Sequence, residues 1–221
     1  MSKVERSPSL KEQILNILRK DFIKGKFKPG DHIVESEIAR KFGTSRGPVR
    51  EALVILENEG FLTRSENGNI FVTTLTKKDL YEIYSLRSLI EGFAAKLAVP
   101  NFSEEDIAYL NKCLNNIAEL KGSLNQSIAV PNTLEIHRFV IVKSDHKRLI
   151  DLWQNLDLQL KMLGSVVMVF DTVEGTLIKH SQLIRALITK DPNIAEKAIT
   201  EHIMEAWKIA DQYINMEDEL K

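Results

Sequence analysis

The stretch from Glu35 to Gly60, ESEIARKFGTSRGPVREALVILENEG, constrains this chain more than any other. Ile38, Ala39 and Phe42 recur at helical spacing, Gly43 interrupts the pattern, and Val49, Leu53 and Leu56 resume it. Thr44 or Ser45 is placed to cap the second helix. Pro48 falls in its first turn, where a missing N–H costs nothing, and Gly60 stops it. The second helix has two faces. Val49, Ala52, Leu53 and Leu56 hold it on its domain, while Arg46 and Arg50, four residues apart, share the other face near the helix start.

The flanking segments complete a recognisable order. Ser9 to Lys24 carries Leu10, Ile14, Leu15, Ile17, Leu18, Phe22 and Ile23 at a helical period, ended by Gly25 and by Pro29-Gly30. After Gly60, two β-prone runs, Phe61 to Arg64 and Ile70 to Thr73, flank Glu66-Asn67-Gly68-Asn69, and Asn-Gly is a hairpin signal. Three helices followed by a hairpin is the order of a winged helix-turn-helix.

Such a domain reads DNA when its second helix offers donors to the major groove. Arginine grips guanine O6 and N7 in a bidentate way or clamps a phosphate. Thr44, Ser45 and the backbone N–H groups of the helix start suit phosphate contacts. A wing tip at Asn67 and Gly68 reaches backbone or minor groove. The competing reading is a solvated helix face on which Arg46 and Arg50 neighbour Glu51 and Glu57. Two arginines alone favour that reading; turn glycine, capped helix start, first-turn proline and hairpin together favour DNA.

Charge is divided along the chain. Residues 1–75 carry 13 Lys and Arg against 10 Asp and Glu, and the remainder 17 against 21, although the whole chain is near neutral at −1. This fits two domains with different partners. The single cysteine, Cys113, excludes an internal disulfide framework and lies at core spacing with Leu110, Leu114 and Ile117. No apolar run reaches the roughly 18 residues of a membrane span, and the polar N-terminus does not read as a signal peptide. The expected location is the cytoplasm.

From residue 76 onward the pattern is helical throughout. Expected helices run from Lys77 to Val99, from a Ser103 cap to about Lys121, from about Pro131, from an Asp145 cap to about Phe170, from Val173 to Thr189, and from an Asp191-Pro192 start. The expected fold is mostly α: a winged helix-turn-helix in residues 1–75, then an all-α six-helix bundle in residues 76–221.

Three histidines in the helical part have suggestive spacing. His180 lies eleven residues before Asp191 and His202 eleven after it, so a hairpin turning at Asp191-Pro192 sets both about 16 Å from the turn, able to face each other. His137 shares a face with Leu134, Val140 and Ile141. Three inward imidazoles can bind a divalent metal such as zinc, nickel or manganese. The alternative for each is a core histidine hydrogen-bonded to a neighbour. His32 and His146 read as ordinary polar residues, and Trp153 and Trp207 as core or dimer packing.

The N-terminal pattern resembles the GntR family of bacterial transcription regulators. The residues that carry the likeness are I-x-G-x-x-x-PG in Ile23 to Gly30, E-x-x-I-A-x-x-F-G-x-SR-x-PVREAL in Glu35 to Leu53, and L-x-x-EG in Leu56 to Gly60. The resemblance implies that Arg46 and Arg50 read an operator, that Ser36 occupies a DNA-contacting position and that Asn67-Gly68 is the wing tip. Gly47 departs from the family's usual threonine, which removes one hydroxyl from the phosphate contacts. The helical part resembles the FCD ligand-binding domain of the FadR-like subfamily through Arg87 and Glu91, His137, and His180 and His202. In metal-binding members a fourth ligand, aspartate or asparagine, precedes the first histidine by four residues. Here Thr133 stands there, a poor metal ligand that leaves three histidines and open positions.

The same resemblance implies small organic acids as effectors, with acyl-CoA in one branch. Arg87 is a candidate carboxylate contact; its alternative is an intrahelical pair with Glu91. The expected function is a ligand-responsive, DNA-binding transcription regulator, a homodimer on a near-palindromic operator, released from DNA by its effector. Two other classes remain to be compared: a metal-dependent enzyme on the three histidines, which would need a poised carboxylate base and has no HExxH motif, and a helical interaction module without ligand.

Overall fold

The computed structural model describes residues 8–23, 26–74, 76–120, 126–154, 156 and 172–219. The chain divides into two compact units, Met1–Leu75 and Thr76–Lys221.

The first unit contains α1 (Leu10–Ile23), β1 (His32–Ile33), α2 (Glu35–Lys41), α3 (Arg46–Asn58), β2 (Leu62–Arg64) and β3 (Ile70–Val72). The apolar stripes seen in the sequence meet in one core: Ile14 and Leu18 of α1, Val49, Leu53 and Leu56 of α3, and Phe61, Leu62, Ile70 and Val72 of the hairpin are all nearly or fully excluded from water. Each such side chain contributes about 1.5–3 kcal/mol of burial, which fixes α3 on its apolar face and leaves its arginine face outward. Gly43 turns the chain between α2 and α3 at φ +62°, a conformation natural to glycine.

The hairpin pairs Leu62 with Val72, Thr63 with Phe71 and Arg64 with Ile70. Its connection is not a two-residue turn. It spans 65–69, with Ser65 and Asn69 bonded at 2.9 Å and Gly68 at φ +79°. A third strand, β1, was not legible in the sequence. It pairs His32 with Phe71 and Ile33 with Ile70, giving the antiparallel order β1-β3-β2. His32 lies in this strand, and two residues are too few to display a period in the sequence.

The second unit comprises α4 (Lys77–Ala98), α5 (Glu104–Ala118), α6 (Gln126–Lys143), α7 (residues 147–154), α8 (Val173–Leu187) and α9 (Pro192–Glu219), with a 3₁₀ turn at Val99–Asn101. Reciprocal capping boxes start α4 (Thr76 with Asp79) and α5 (Ser103 with Asp106). The Asp191 carboxylate accepts from the N–H groups of Asn193 and Ile194 at the head of α9. Two helix starts differ from expectation. α6 begins at Gln126, so Pro131 lies within it rather than opening it. Asp145 does not cap α7: it adopts φ +51°, and the ring of His146 takes the capping position, accepting from the Leu149 N–H at 3.3 Å. The part of the expected fourth helix beyond residue 156 lies outside the described residues.

The packing of α4 on α9 sets the helical core. An added Cβ on Gly92 would stand 2.6 Å from Thr200 Oγ1, so a larger residue there would force the threonine side chain or the helix contact to shift. Lys96 and Glu196 pair across the same contact at 2.7 Å. Among the described residues, no helix is long and apolar enough to cross a membrane.

Candidate functional site

Two groups of residues bear on function, one in each unit. In the first, α3 presents Arg46 and Arg50 to solvent at its start, opposite the buried Val49, Ala52 and Leu53. Ser45 is the N-cap residue in extended conformation (φ −75°, ψ 165°), and its side chain makes no capping bond. The expectation of a hydroxyl cap there is not met. Thr44 and Ser36 are half-buried nearby, and Asn67 and Gly68 are exposed at the end of the hairpin.

Glu57 and Glu51, the acids nearest the arginine face in sequence, are engaged elsewhere. Glu57 pairs with Arg64 at 2.9 Å, and Glu51 approaches Lys11 at 4.0 Å. The partner of Arg50 is Glu35, the first residue of α2: Nε donates to Oε1 at 3.1 Å and Nη2 to Oε2 at 3.0 Å. These hydrogen bonds, foremost among its surroundings, hold Glu35 below the usual carboxylate range. Arg64 also donates to the Gly68 carbonyl at 3.1 Å, tying the wing turn to the end of α3 through Glu57. Neither Glu35 nor Arg64 was singled out from the sequence. Each finds its partner through the tertiary fold, and no periodicity marks such a pair.

In the second unit, His137 of α6, His180 of α8 and His202 of α9 converge. Their ligand nitrogens all lie within 4.8 Å of one another. Ring centroids of His180 and His202, brought together by the hairpin at Asp191, are 4.6 Å apart. His137 and His180 are buried and His202 is partly exposed. Burial, more than any other influence, lowers all three pKa values, that of His180 to about 3, so the rings are neutral near pH 7 and keep a lone pair.

Hydrogen bonds select which nitrogen carries it. His180 Nδ1 donates to the Thr176 carbonyl at 2.8 Å, and its Nε2 is buried with no hydrogen-bond partner. His137 Nδ1 lies 2.6 Å from Glu91 Oε2. A buried nitrogen that has lost water and gained no donor is costly in a purely structural histidine, and it suits a ligand. The residues therefore fit a divalent cation. Thr133, one turn before His137, is buried and offers at most a hydroxyl.

Glu91 organises this region from α4. Its carboxylate, fully buried, accepts from Arg87 Nε at 2.5 Å and from Trp153 Nε1 at 2.9 Å in addition to facing His137. Burial pushes its pKa up, but Arg87 and His137 outweigh it and bring it down to about 2. The intrahelical pairing of Arg87 with Glu91 is thus present, and it extends to a histidine and a tryptophan that sequence spacing did not connect. Trp207, by contrast, packs edge-on against Tyr81 at 5.5 Å.

A winged helix-turn-helix joined to a helical unit with a buried histidine cluster defines a class of one-component regulators. Family models match both parts: the gntR family of bacterial regulatory proteins over residues 10–72 and the FCD domain over residues 82–205. The chain belongs to the GntR family of bacterial transcription regulators, in the group that carries an FCD domain. It is 30% identical over 197 residues to the probable D-xylose utilization operon transcriptional repressor of Paenarthrobacter nicotinovorans, covering 86% of this chain and 84% of that protein. It is 32% identical over 184 residues to the gluconate operon transcriptional repressor of Bacillus subtilis, covering 79% and 74%. The fold is that of the Escherichia coli protein McbR/YncC, with a TM-score of 0.77 at 22% identity over 93% of this chain and 99% of that one. A putative GntR regulator from Rhodococcus sp. RHA1 gives the same TM-score at 20% identity over 94% and 99%.

Proposed function

We propose that the chain is a homodimeric repressor that binds a near-palindromic operator and leaves it when a small organic acid enters the helical unit. Arg46 and Arg50 read base edges in the major groove, Ser36, Thr44, Ser45 and the α3 N-terminus bind phosphates, and Asn67 and Gly68 carry the wing contact. The repressor sense is supported by the names of the xylose and gluconate operon relatives. The small-acid class is supported by the buried cation Arg87, which is joined to the neutral histidine cluster through Glu91.

The observation that carries the ligand half of this reading is the orphaned, buried Nε2 of His180 within the three-histidine cluster. His137, His180 and His202 would hold a divalent ion, zinc, nickel or manganese, and with no fourth protein ligand from Thr133 that ion would offer open positions to an effector carboxylate. Glu91 orients His137 and neutralises Arg87; Thr176 orients His180. An effector that engages Arg87 competes with Glu91 for the guanidinium, which links ligand entry to the packing of α4 on α6. Reaction chemistry is not assigned: Glu91, the carboxylate beside the cluster, already accepts from Arg87 and Trp153 and faces His137, and so is poorly disposed to act as a general base.

The test is a thermal-shift screen of the full chain against small organic acids, with and without added zinc or nickel, followed by operator titration with each hit. Stabilisation by acid only when metal is present, together with weakened operator binding, is expected. Less than about 0.1 equivalent of metal after gentle purification, with no shift on adding either metal, would favour a helical module without a ligand.

A further inference from the structure

We propose that Glu35 is a positioning and specificity-determining residue for the DNA contact made by Arg50. The inference rests on the reading that Arg50 meets base edges. A guanidinium presents five N–H groups in a planar fork. Glu35 occupies its side edge, accepting from Nε at 3.1 and 3.2 Å and from Nη2 at 3.0 Å. That leaves the end edge, Nη1 and the second Nη2 hydrogen, whose spacing matches guanine O6 and N7. The two demands on Arg50 are therefore compatible, and the carboxylate sets the plane in which the base is met.

The exposures agree with this division. The Arg50 side chain is 64% exposed and that of Glu35 only 23%, so the acid sits behind the arginine on the side of the protein. The anchor is also rigid in origin: Glu35 begins α2, Arg50 lies in α3, and the two helices are fixed by the Gly43 turn and by buried Ile38, Ala39, Val49 and Leu53. Arg64 and Arg46 also act on Glu35 from a distance, but Arg64 has its own carboxylate in Glu57, and the hydrogen bonds to Glu35 come from Arg50.

The charge of Glu35 acts in the same direction. If Arg50 swings to a phosphate, Glu35 loses its partner and is left facing a polyanion. Such non-specific arrangements are disfavoured, while the base-reading arrangement keeps the pair intact. Removing the charge should therefore weaken the selected site and strengthen binding to unrelated DNA. A merely structural role for Glu35, as an anion at the α2 N-terminus, predicts lowered stability of the fold and no change in selectivity.

The experiment uses a duplex enriched from a random-sequence pool by the wild-type full chain. Wild type, Glu35→Gln, Arg50→Ala and the double variant are titrated by fluorescence anisotropy on that duplex and on a scrambled duplex of equal length. Thermal unfolding of each is followed in parallel. The expected result is a selected-to-scrambled affinity ratio lowered about tenfold by Glu35→Gln, with no further loss in the Arg50→Ala background and an unchanged unfolding midpoint. An unchanged ratio, an equal loss in the Arg50→Ala background, or a lowered midpoint with the ratio intact would overturn the inference alone. A wild-type chain that enriches no sequence would overturn the DNA reading and this inference with it.

Discussion

Nδ1 of His137 lies 2.6 Å from Oε2 of Glu91, with both side chains shut away from water, and this contact joins α6 to α4 inside the helical unit. The other oxygen of the same carboxylate accepts from Arg87 and Trp153. One residue on α4 thus fixes the ring of a candidate metal ligand, the guanidinium of a candidate effector contact and a buried indole. Each of these groups would be costly to bury alone, and together they form a nearly closed set of donors and acceptors.

Glu91→Gln should therefore be severe. It removes the anion that compensates buried Arg87, a loss of about 3–5 kcal/mol for a broken buried pair. It also weakens the acceptor that orients His137, for which a 10–100-fold fall in metal affinity is the usual size. Denaturant unfolding and zinc titration read the two effects separately. Wild-type stability in Glu91→Gln would mean that the network contributes nothing to the fold.

His202→Ala should separate metal binding from folding. His202 is the partly exposed member of the cluster, so its removal leaves a smaller defect than loss of His137 or His180. Added zinc or nickel should raise the thermal midpoint of wild type in proportion to the logarithm of metal concentration, and should leave His202→Ala unmoved. Equal shifts in both proteins would place the metal elsewhere.

Two glycines should behave oppositely. Gly92→Ala puts a Cβ 2.6 Å from Thr200 Oγ1 where α4 meets α9, and such overpacking costs about 1–3 kcal/mol, measurable as a lowered unfolding midpoint. Gly47, in the first turn of α3, has nothing within 4 Å of an added Cβ. Gly47→Thr restores the hydroxyl usual in the family, and should tighten binding to selected and scrambled DNA alike, because a phosphate contact carries no sequence information. Unchanged binding by Gly47→Thr would contradict a phosphate contact at that position.

Much of the fold could be read from the chain because its elements are long, periodic and punctuated. The stripes of α1 and α3, the glycine at 43 and the Asn67-Gly68 turn each have a local cause. So does the α8–α9 hairpin at Asp191, which brings the rings of His180 and His202 together edge-on at 4.6 Å. What escaped has non-local causes. β1 is two residues long and exists only because β3 offers it an edge. α6 starts at Gln126 and not at Pro131, a residue type that usually opens a helix and here lies inside one. Glu35 with Arg50 and Glu91 with Trp153 are separated by 15 and 62 residues, and their pairing is set by packing that no spacing rule encodes. The Asp145 cap failed for a subtler reason: a residue with good capping chemistry took a left-handed turn, and the histidine after it did the capping.

On the proposed function, α3 reads DNA sequence through Arg50. The most direct measurement of that reading is the anisotropy titration of wild type and Arg50→Ala on the duplex the wild type selects, at two salt concentrations. The prediction is salt-sensitive, sequence-preferring binding by wild type, and weak binding without preference by an Arg50→Ala protein that unfolds at the wild-type temperature. Wild-type binding that ignores sequence, or selective binding retained by Arg50→Ala, would contradict it.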